Sequence, residues 1–343
     1  MTIEQGTCAV VVGGQYGSEA KGKVVSYLAS EFNLAIRTGS PNSGACVYDD
    51  LNNVYKLQQI PATFLNQDCL LCIGAGALIN PEILRNEAIL TKTRGRLIID
   101  RNAGIIEKRH IEQEINTKMT ENIGSTSKGC GAAMADRASL NPNFKFARTE
   151  LTDFNITNVS HLANNFLDRA KNVLIEGTQG YGLSLIHSKE YPFTTSRDTS
   201  AAAFLSEAGI SPRRVTDIYL VIRSYSIRVG GNSGPLKNEI DWKTVSARAG
   251  KPIIETTTVT NRVRRVGKFD IDLVKEAICC NQPNHIAFQF LNYLYPQDEN
   301  KNQWKSLSSD AQYFINNLED QLETPITLIG TGPRNESMID RRK

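Results

Sequence analysis

Short apolar runs recur along the chain, spaced so that a helix fits between neighbours. They are Cys8–Val12, Leu70–Ile73, Leu97–Ile99, Val173–Ile175, Ile218–Ile222, Ile286–Leu291 and Ile326–Ile329. Several are continuous rather than alternating, which is the pattern of strands covered on both faces of a mostly parallel sheet. Helical spacing of apolar positions fills Gly22–Phe32, Pro81–Thr91, Val159–Arg169 and Ser308–Leu322. This alternation predicts an α/β fold with one mostly parallel open sheet flanked by helices. The stretch 101–167 is polar and helical in pattern, and reads as an insertion within a single domain spanning 1–343. No low-complexity linker or internal repeat divides the chain. In such folds ligands sit at the carboxyl ends of the strands.

Composition narrows the class without choosing a function. An apolar content of 40% with 22% charged residues suits a globular chain with a substantial core. The formal charge of +3 is too mild to predict nucleic-acid or membrane binding and leaves small anionic substrates open. Met1-Thr2-Ile3-Glu4-Gln5 has no basic, then apolar, character of a secretory leader, and no apolar run has spanning length, so a cytoplasmic protein is expected. Seven cysteines, an odd number, fit reduced thiols better than a disulfide framework. Cys69 and Cys72 make a C-x-x-C, but inside a strand-like run with no second pair, which predicts core packing.

The strongest local signal lies at the first strand. Ala9-Val10-Val11-Val12 runs into Gly13-Gly14-Gln15-Tyr16-Gly17-Ser18-Glu19-Ala20-Lys21-Gly22-Lys23. Gly17 to Lys23 satisfies G-x-x-x-x-G-K, a strand–turn–helix whose backbone N–H groups and helix N-terminus converge on phosphate. Residue 24 is Val where the standard motif has a magnesium-binding Ser or Thr. The alternative is a glycine-rich turn without a ligand.

The loop resembles that of adenylosuccinate synthetases, which reads Gly-Thr-Gln-Trp-Gly-Asp-Glu-Gly-Lys-Gly-Lys. Further blocks follow in that family's order: Asn42-Ser43-Gly44, Ile123-Gly124-Ser125-Thr126, Glu176-Gly177-Thr178-Gln179-Gly180, Tyr191 to Ser196, Tyr225 to Gly230, and Thr331-Gly332-Pro333. The resemblance implies a ligase in two steps. A triphosphate phosphorylates the 6-oxygen of a purine nucleotide, turning a poor leaving group into a good one, and the amine of aspartate then displaces the phosphate. By resemblance, Gly17, Glu19, Ala20, Lys21, Gly22, Lys23, Asn292 and Gly332 hold the triphosphate. Ser18, Asn42, Ser125, Thr126, Gln179, Thr195 and Arg264 hold the substrate nucleotide, with Arg137 reaching in from a second subunit of a homodimer. Val259, Thr260, Arg262 and Arg264 hold aspartate, since carboxylates favour bidentate guanidinium donors. Ser18, Lys21 and Gln179 carry the chemistry, and Mg2+ is implied with Ser18 and Gly44 as its protein ligands.

Two departures from the family pattern bear on the substrate. The catalytic Asp of the family is Ser18 here, and its catalytic His is Ala45. A shorter side chain at 18 makes room for a 2-amino group beside the purine N1, which resembles the phage branch of the family that converts dGMP into a 2-aminoadenine precursor. The guanine-reading Asp of the family aligns with Asn292, whose amide complements the donor–acceptor edge of adenine, so ATP or dATP is the expected triphosphate. An unassisted serine is a poor base, and general-base catalysis is worth about 10²–10⁴-fold. The alternatives are an ordinary synthetase acting on IMP, a catalytically silent nucleotide-binding relative, and a nucleotide kinase with no need for aspartate. Retention of both loop lysines and both arginines of the aspartate loop argues against a silent relative.

Overall fold

The computed structural model describes residues 6–257 and 262–342. Ten strands form one sheet: β1 (Cys8–Gly13), β2 (Leu34–Arg37), β3 (Leu70–Ile73), β4 (Leu97–Asp100), β5 (Asn155–Thr157), β6 (Val173–Glu176), β7 (Asp217–Arg223), β8 (His285–Gln289), β9 (Ile326–Gly330) and β10 (Met338–Asp340). Their order across the sheet is β10-β9-β8-β7-β1-β6-β2-β3-β4-β5. All neighbours are parallel except β9 and β10.

The continuous apolar runs are explained by burial on both faces. Cys8, Val10 and Val12 face a core shared with helices Val159–Asp168, Ala201–Ala208, Ile271–Asn281 and Ser309–Leu322. Ala9 and Val11 face the opposite core, built with helices Lys21–Leu28 (α1) and Pro81–Leu90. The strand cores of β1, β6 and β7 exclude solvent, and each such Val, Leu or Ile contributes about 1.5–3 kcal/mol of transfer free energy.

β1 lies at the centre with β6 on one side and β7 on the other, and the chain leaves β1 toward β2 on the β6 side. That reversal of direction opens a crevice above the carboxyl ends of β1, β6 and β7. Several strands end there on a buried polar residue: Arg37 on β2, Glu176 on β6, Arg223 on β7 and Gln289 on β8.

The structure differs from the sequence reading in places. The run Ile286–Leu291 does not stay extended, because Phe290 takes a left-handed φ of 63° and turns the chain into the 3-10 segment Leu291–Tyr293. The helix read as Gly22–Phe32 is α-helical over Lys21–Leu28 and tightens to a 3-10 turn at Ala29–Glu31. The stretch 101–167 carries helices Lys108–Asn116, Met119–Ile123, Cys130–Ala138 and Ala147–Glu150, and it also supplies edge strand β5.

Candidate active site

The phosphate loop is shaped from inside. Glu19 is fully buried, and its Oε1 accepts the N–H of Gln15 at 3.1 Å and that of Gly17 at 2.7 Å. Its Oε2 meets Lys21 Nζ at 2.7 Å, and the same amine reaches the Gly17 carbonyl at 3.3 Å. The Glu19 side chain is therefore a strut, and only its backbone is left to meet a phosphate. Gly17 has φ +91°, and a Cβ there would lie 2.9 Å from the Cα of Gln179. No other residue type fits without moving one of the two loops. Ala20, also left-handed, leads into α1.

The two expected loop lysines diverge. Lys21 lines an open pocket with Gly17, Ser18, Ala20 and Gly22. Lys23 turns away, donating to the carbonyls of Gly332 at 2.6 Å and Ser337 at 3.3 Å in the segment after β9. Burial pushes its amine down to about 7. Gly332 has no room for a side chain, since a Cβ would fall 2.3 Å from Asn300 Oδ1. Asn292 is buried just past the end of β8 and donates through Nδ2 to Glu299 Oε1 at 3.1 Å.

Two cavities flank this loop. The first gathers Asn42, Ser125, Thr126, Gln179 and Thr195, of which Asn42 and Thr195 lie 153 positions apart in sequence. Asn42 Nδ2 donates to Thr195 Oγ1 at 3.4 Å. The Ser125 carbonyl accepts from Thr120 Oγ1 at 3.0 Å, fixing the turn that carries Ser125 and Thr126. Glu114, buried beside them, accepts from the N–H groups of Gly129, Gly131 and Ala132 at 2.8, 2.7 and 3.3 Å, and so caps helix Cys130–Ala138 from a neighbouring helix. Tyr16 and Arg228 close the other wall, with the guanidinium 4.4 Å from the ring centre.

The second cavity is lined by Ser18, Lys21, Gly44, Ala45 and Arg264, together with Arg37, Glu176 and Glu255. Each carboxylate that shapes this region is paired: Glu19 with Lys21, Glu176 with Arg37, and Glu255 with Arg223. Arg264 donates from Nε to the Thr256 carbonyl at 3.2 Å, and burial lowers its pKa. Arg262 is exposed and its N–H meets Thr257 Oγ1 at 3.0 Å. Val259 and Thr260 lie outside the described residues.

Arg137 stands apart. It donates to the Ala75 carbonyl at 3.1 Å and stacks 5.7 Å from the Phe146 ring centre, and it lines neither cavity of its own chain. Among the described residues no group of three or more His, Cys, Asp or Glu is placed to hold a metal.

Arg37, Arg223, Glu255 and Glu114 carry no role in the sequence reading, and Glu176 enters it only as the start of a family block. A signal exists for Arg37, Glu176 and Arg223: each is a charge directly following an apolar run, as in Leu34-Ala35-Ile36-Arg37. A charge fixed where ligands bind in an open α/β sheet is a site candidate.

Such a fold, with a glycine-rich loop over a central strand and cavities on both sides of that loop, defines an α/β enzyme that handles phosphorylated substrates. Comparison with known proteins carries this further. The family model described as adenylosuccinate synthetase matches residues 10–148 and 142–301. The chain is 37% identical to the adenylosuccinate synthetase of Methanosphaera stadtmanae, over 98% of each protein. It is 38% identical to that of Methanocaldococcus jannaschii, over 98% of this chain and 97% of the relative. Among solved structures, the fully ligated adenylosuccinate synthetase from Plasmodium falciparum superposes with a TM-score of 0.86 at 23% identity, covering 98% of this chain and 100% of that one. The cyanophage S-2L succinoaminodeoxyadenylate synthetase (PurZ), bound to dGMP and dATP as an energy donor, gives 0.83 at 23% identity, covering 99% and 96%. The chain belongs to the adenylosuccinate synthetase family: it is a C–N ligase that joins aspartate to a purine nucleotide.

Proposed function

We propose that the purine nucleotide is dGMP and the triphosphate ATP or dATP, so that the product is N6-succino-2-amino-2′-deoxyadenylate, a precursor of 2-aminoadenine in phage DNA. The observation that carries this reading is Ser18. It lines the cavity shared by Lys21 and Arg264, two residues along the loop from Tyr16 of the other cavity, and stands where the family pattern has a carboxylate. A guanine offers N1–H and a 2-amino group side by side, and the shorter residue leaves space for the second.

In this reading the 5′-phosphate sits by Ser125 and Thr126, and Gln179 and Asn42 face the base and sugar. The 6-oxygen attacks the γ-phosphorus as the N1 proton passes to water, the bond to the β-bridging oxygen breaks, and ADP or dADP leaves. The amine of aspartate, held by Arg262 and Arg264, then adds at C6 and inorganic phosphate departs. Lys21 stands where charge builds on the transferred group. Asn292 retains a second amide N–H beyond the one given to Glu299, and its Oδ1 accepts, so it can still meet both groups of an adenine edge.

Magnesium fits this donor set only as an ion carried by the triphosphate. Ser18 and Gly44 offer two neutral oxygens in one cavity, and the neighbouring carboxylates are engaged by cations. When bound there it would neutralise charge on the β- and γ-phosphates. Arg137 completes the 5′-phosphate site of a partner subunit in a homodimer, and the enzyme works in the cytoplasm, that of the host if it is viral.

A second reading, IMP as substrate, is favoured by the archaeal relatives, which are adenylosuccinate synthetases by name. The two separate in one assay of purified protein with ATP, Mg2+ and aspartate, offered dGMP or IMP, with phosphate release and succinylated product as readouts. Turnover of dGMP and not of IMP is expected, and Ser18→Asp is expected to lower it about 10²-fold, the scale of a misplaced reacting group. Turnover confined to IMP would overturn the dGMP assignment.

A further inference from the structure

Arg223 ends β7 and is, among the described residues, the largest side chain that is wholly enclosed, at 1% exposure. A buried guanidinium is tolerated only where fixed partners replace its water. Its partners come from three separate ligand-binding segments. Nη1 donates to the carbonyl of Ser18 in the phosphate loop at 2.8 Å. The two Nη groups grip the Glu255 carboxylate, with Nη1 to Oε2 at 3.1 Å and Nη2 to Oε1. The plane lies 4.0 Å from the ring centre of Phe290, which leads into the Asn292 turn. Its own backbone is held as well: Gln15 Oε1 accepts the Arg223 N–H at 2.8 Å, and Gln15 Nε2 donates to its carbonyl at 3.4 Å.

Glu255 in turn carries the aspartate loop. Its carbonyl accepts the Arg264 N–H at 2.9 Å, and the Thr257 N–H meets the Arg262 carbonyl at 2.8 Å, so the two loop arginines hang from this short ladder. We infer that Arg223 is a positioning residue that couples the aspartate loop to the phosphate loop, so that Ser18 and the aspartate-binding arginines are set by one buried cation. Planar geometry matters here. A guanidinium can hold a carboxylate with one edge, donate to a carbonyl and stack on a ring together, whereas an ammonium offers a single point. The inference rests on the ligase reaction of the family and not on which purine nucleotide is used.

Amide exchange tests the coupling in the unliganded chain. In Arg223→Met, and more weakly in Glu255→Gln, exchange at Thr257 and Arg264 should accelerate about tenfold, while amides of β1 and β6 stay as in the parent. Kinetics tests the consequence with whichever nucleotide the parent protein turns over. Glu255→Gln should raise KM for aspartate about tenfold while KM for the triphosphate moves less than about twofold. Arg223→Met should lower kcat/KM for aspartate about a hundredfold, and Arg223→Lys should recover part of it. Exchange accelerated equally across the sheet in Arg223→Met would make the residue a general stabiliser. Glu255→Gln keeps the proposal exposed in that event, because unchanged exchange at Thr257 and Arg264 together with an unchanged aspartate KM overturns it.

Discussion

At the scale of single residues the site is a set of paired charges. Glu19 fixes Lys21, Glu176 fixes Arg37, and Glu255 fixes Arg223. Pairing aims each carboxylate and fixes the loop or strand end that carries it. Lys23 is different, since carbonyls rather than a carboxylate receive its amine. Its folded pKa of about 7 lies below its ordinary 10.5, so between those values the unfolded chain binds the extra proton. Stability contributed by this group therefore rises with pH across that window, and the penalty is full below the lower value. Lys23→Met removes the titration. Thermal unfolding followed from pH 7 upward should rise in the parent protein and flatten in the variant, and parallel curves would show that the carbonyls hold the amine charged throughout.

At the scale of elements, the joints between helices decide where the nucleotide cleft opens. Helix Cys130–Ala138 begins at Gly129, which has no side chain to cap it, and Glu114 of helix Lys108–Asn116 supplies the missing acceptor. One carboxylate meets three N–H groups beside the turn that presents Ser125 and Thr126. Glu114→Ala should cost about 1–3 kcal/mol by leaving those buried donors unpaired. The same variant should raise KM for the purine nucleotide, because the Ser125 turn leans on this joint. Glu114→Gln keeps an acceptor and should fall between the two in denaturant midpoint. A midpoint for Glu114→Ala equal to that of the parent would show that water caps the helix equally well.

At the scale of the whole molecule, the position of Arg137 is the informative fact. It is a half-buried cation stacked on Phe146, outside both cavities of its own chain. A homodimer in which it crosses to the partner predicts complementation. Arg137→Ala and Lys21→Ala, each nearly inactive alone, should recover activity when mixed, because a mixed dimer holds one site with both residues intact. Activity of the mixture that never exceeds the sum of the separate variants would place Arg137 in a role within its own subunit.

Much of this was legible in the chain. The apolar runs marked β1, β3, β4, β6, β7 and β9 to within two residues, because strands covered on both faces show no polar interruption. Three-residue β5 and β10 are too short to carry a period of their own, whereas β2 is as long as β3, β4 and β6 and its Leu34-Ala35-Ile36 was simply not among the runs. The glycine loop, with its conformational demand at Gly17, was readable because only a glycine meets it. What the sequence determined is thus whatever depends on local covalent chemistry: strand runs, the phosphate loop, and the residue types that can bind phosphate, carboxylate and purine. Tertiary structure alone decided which charges meet. Arg223 lies 205 positions from Ser18 and 32 from Glu255, and Lys23 lies 309 from the Gly332 carbonyl it holds. A buried cation takes whatever acceptor the packed strands bring within reach, and nothing in the flanking residues of either partner records that choice.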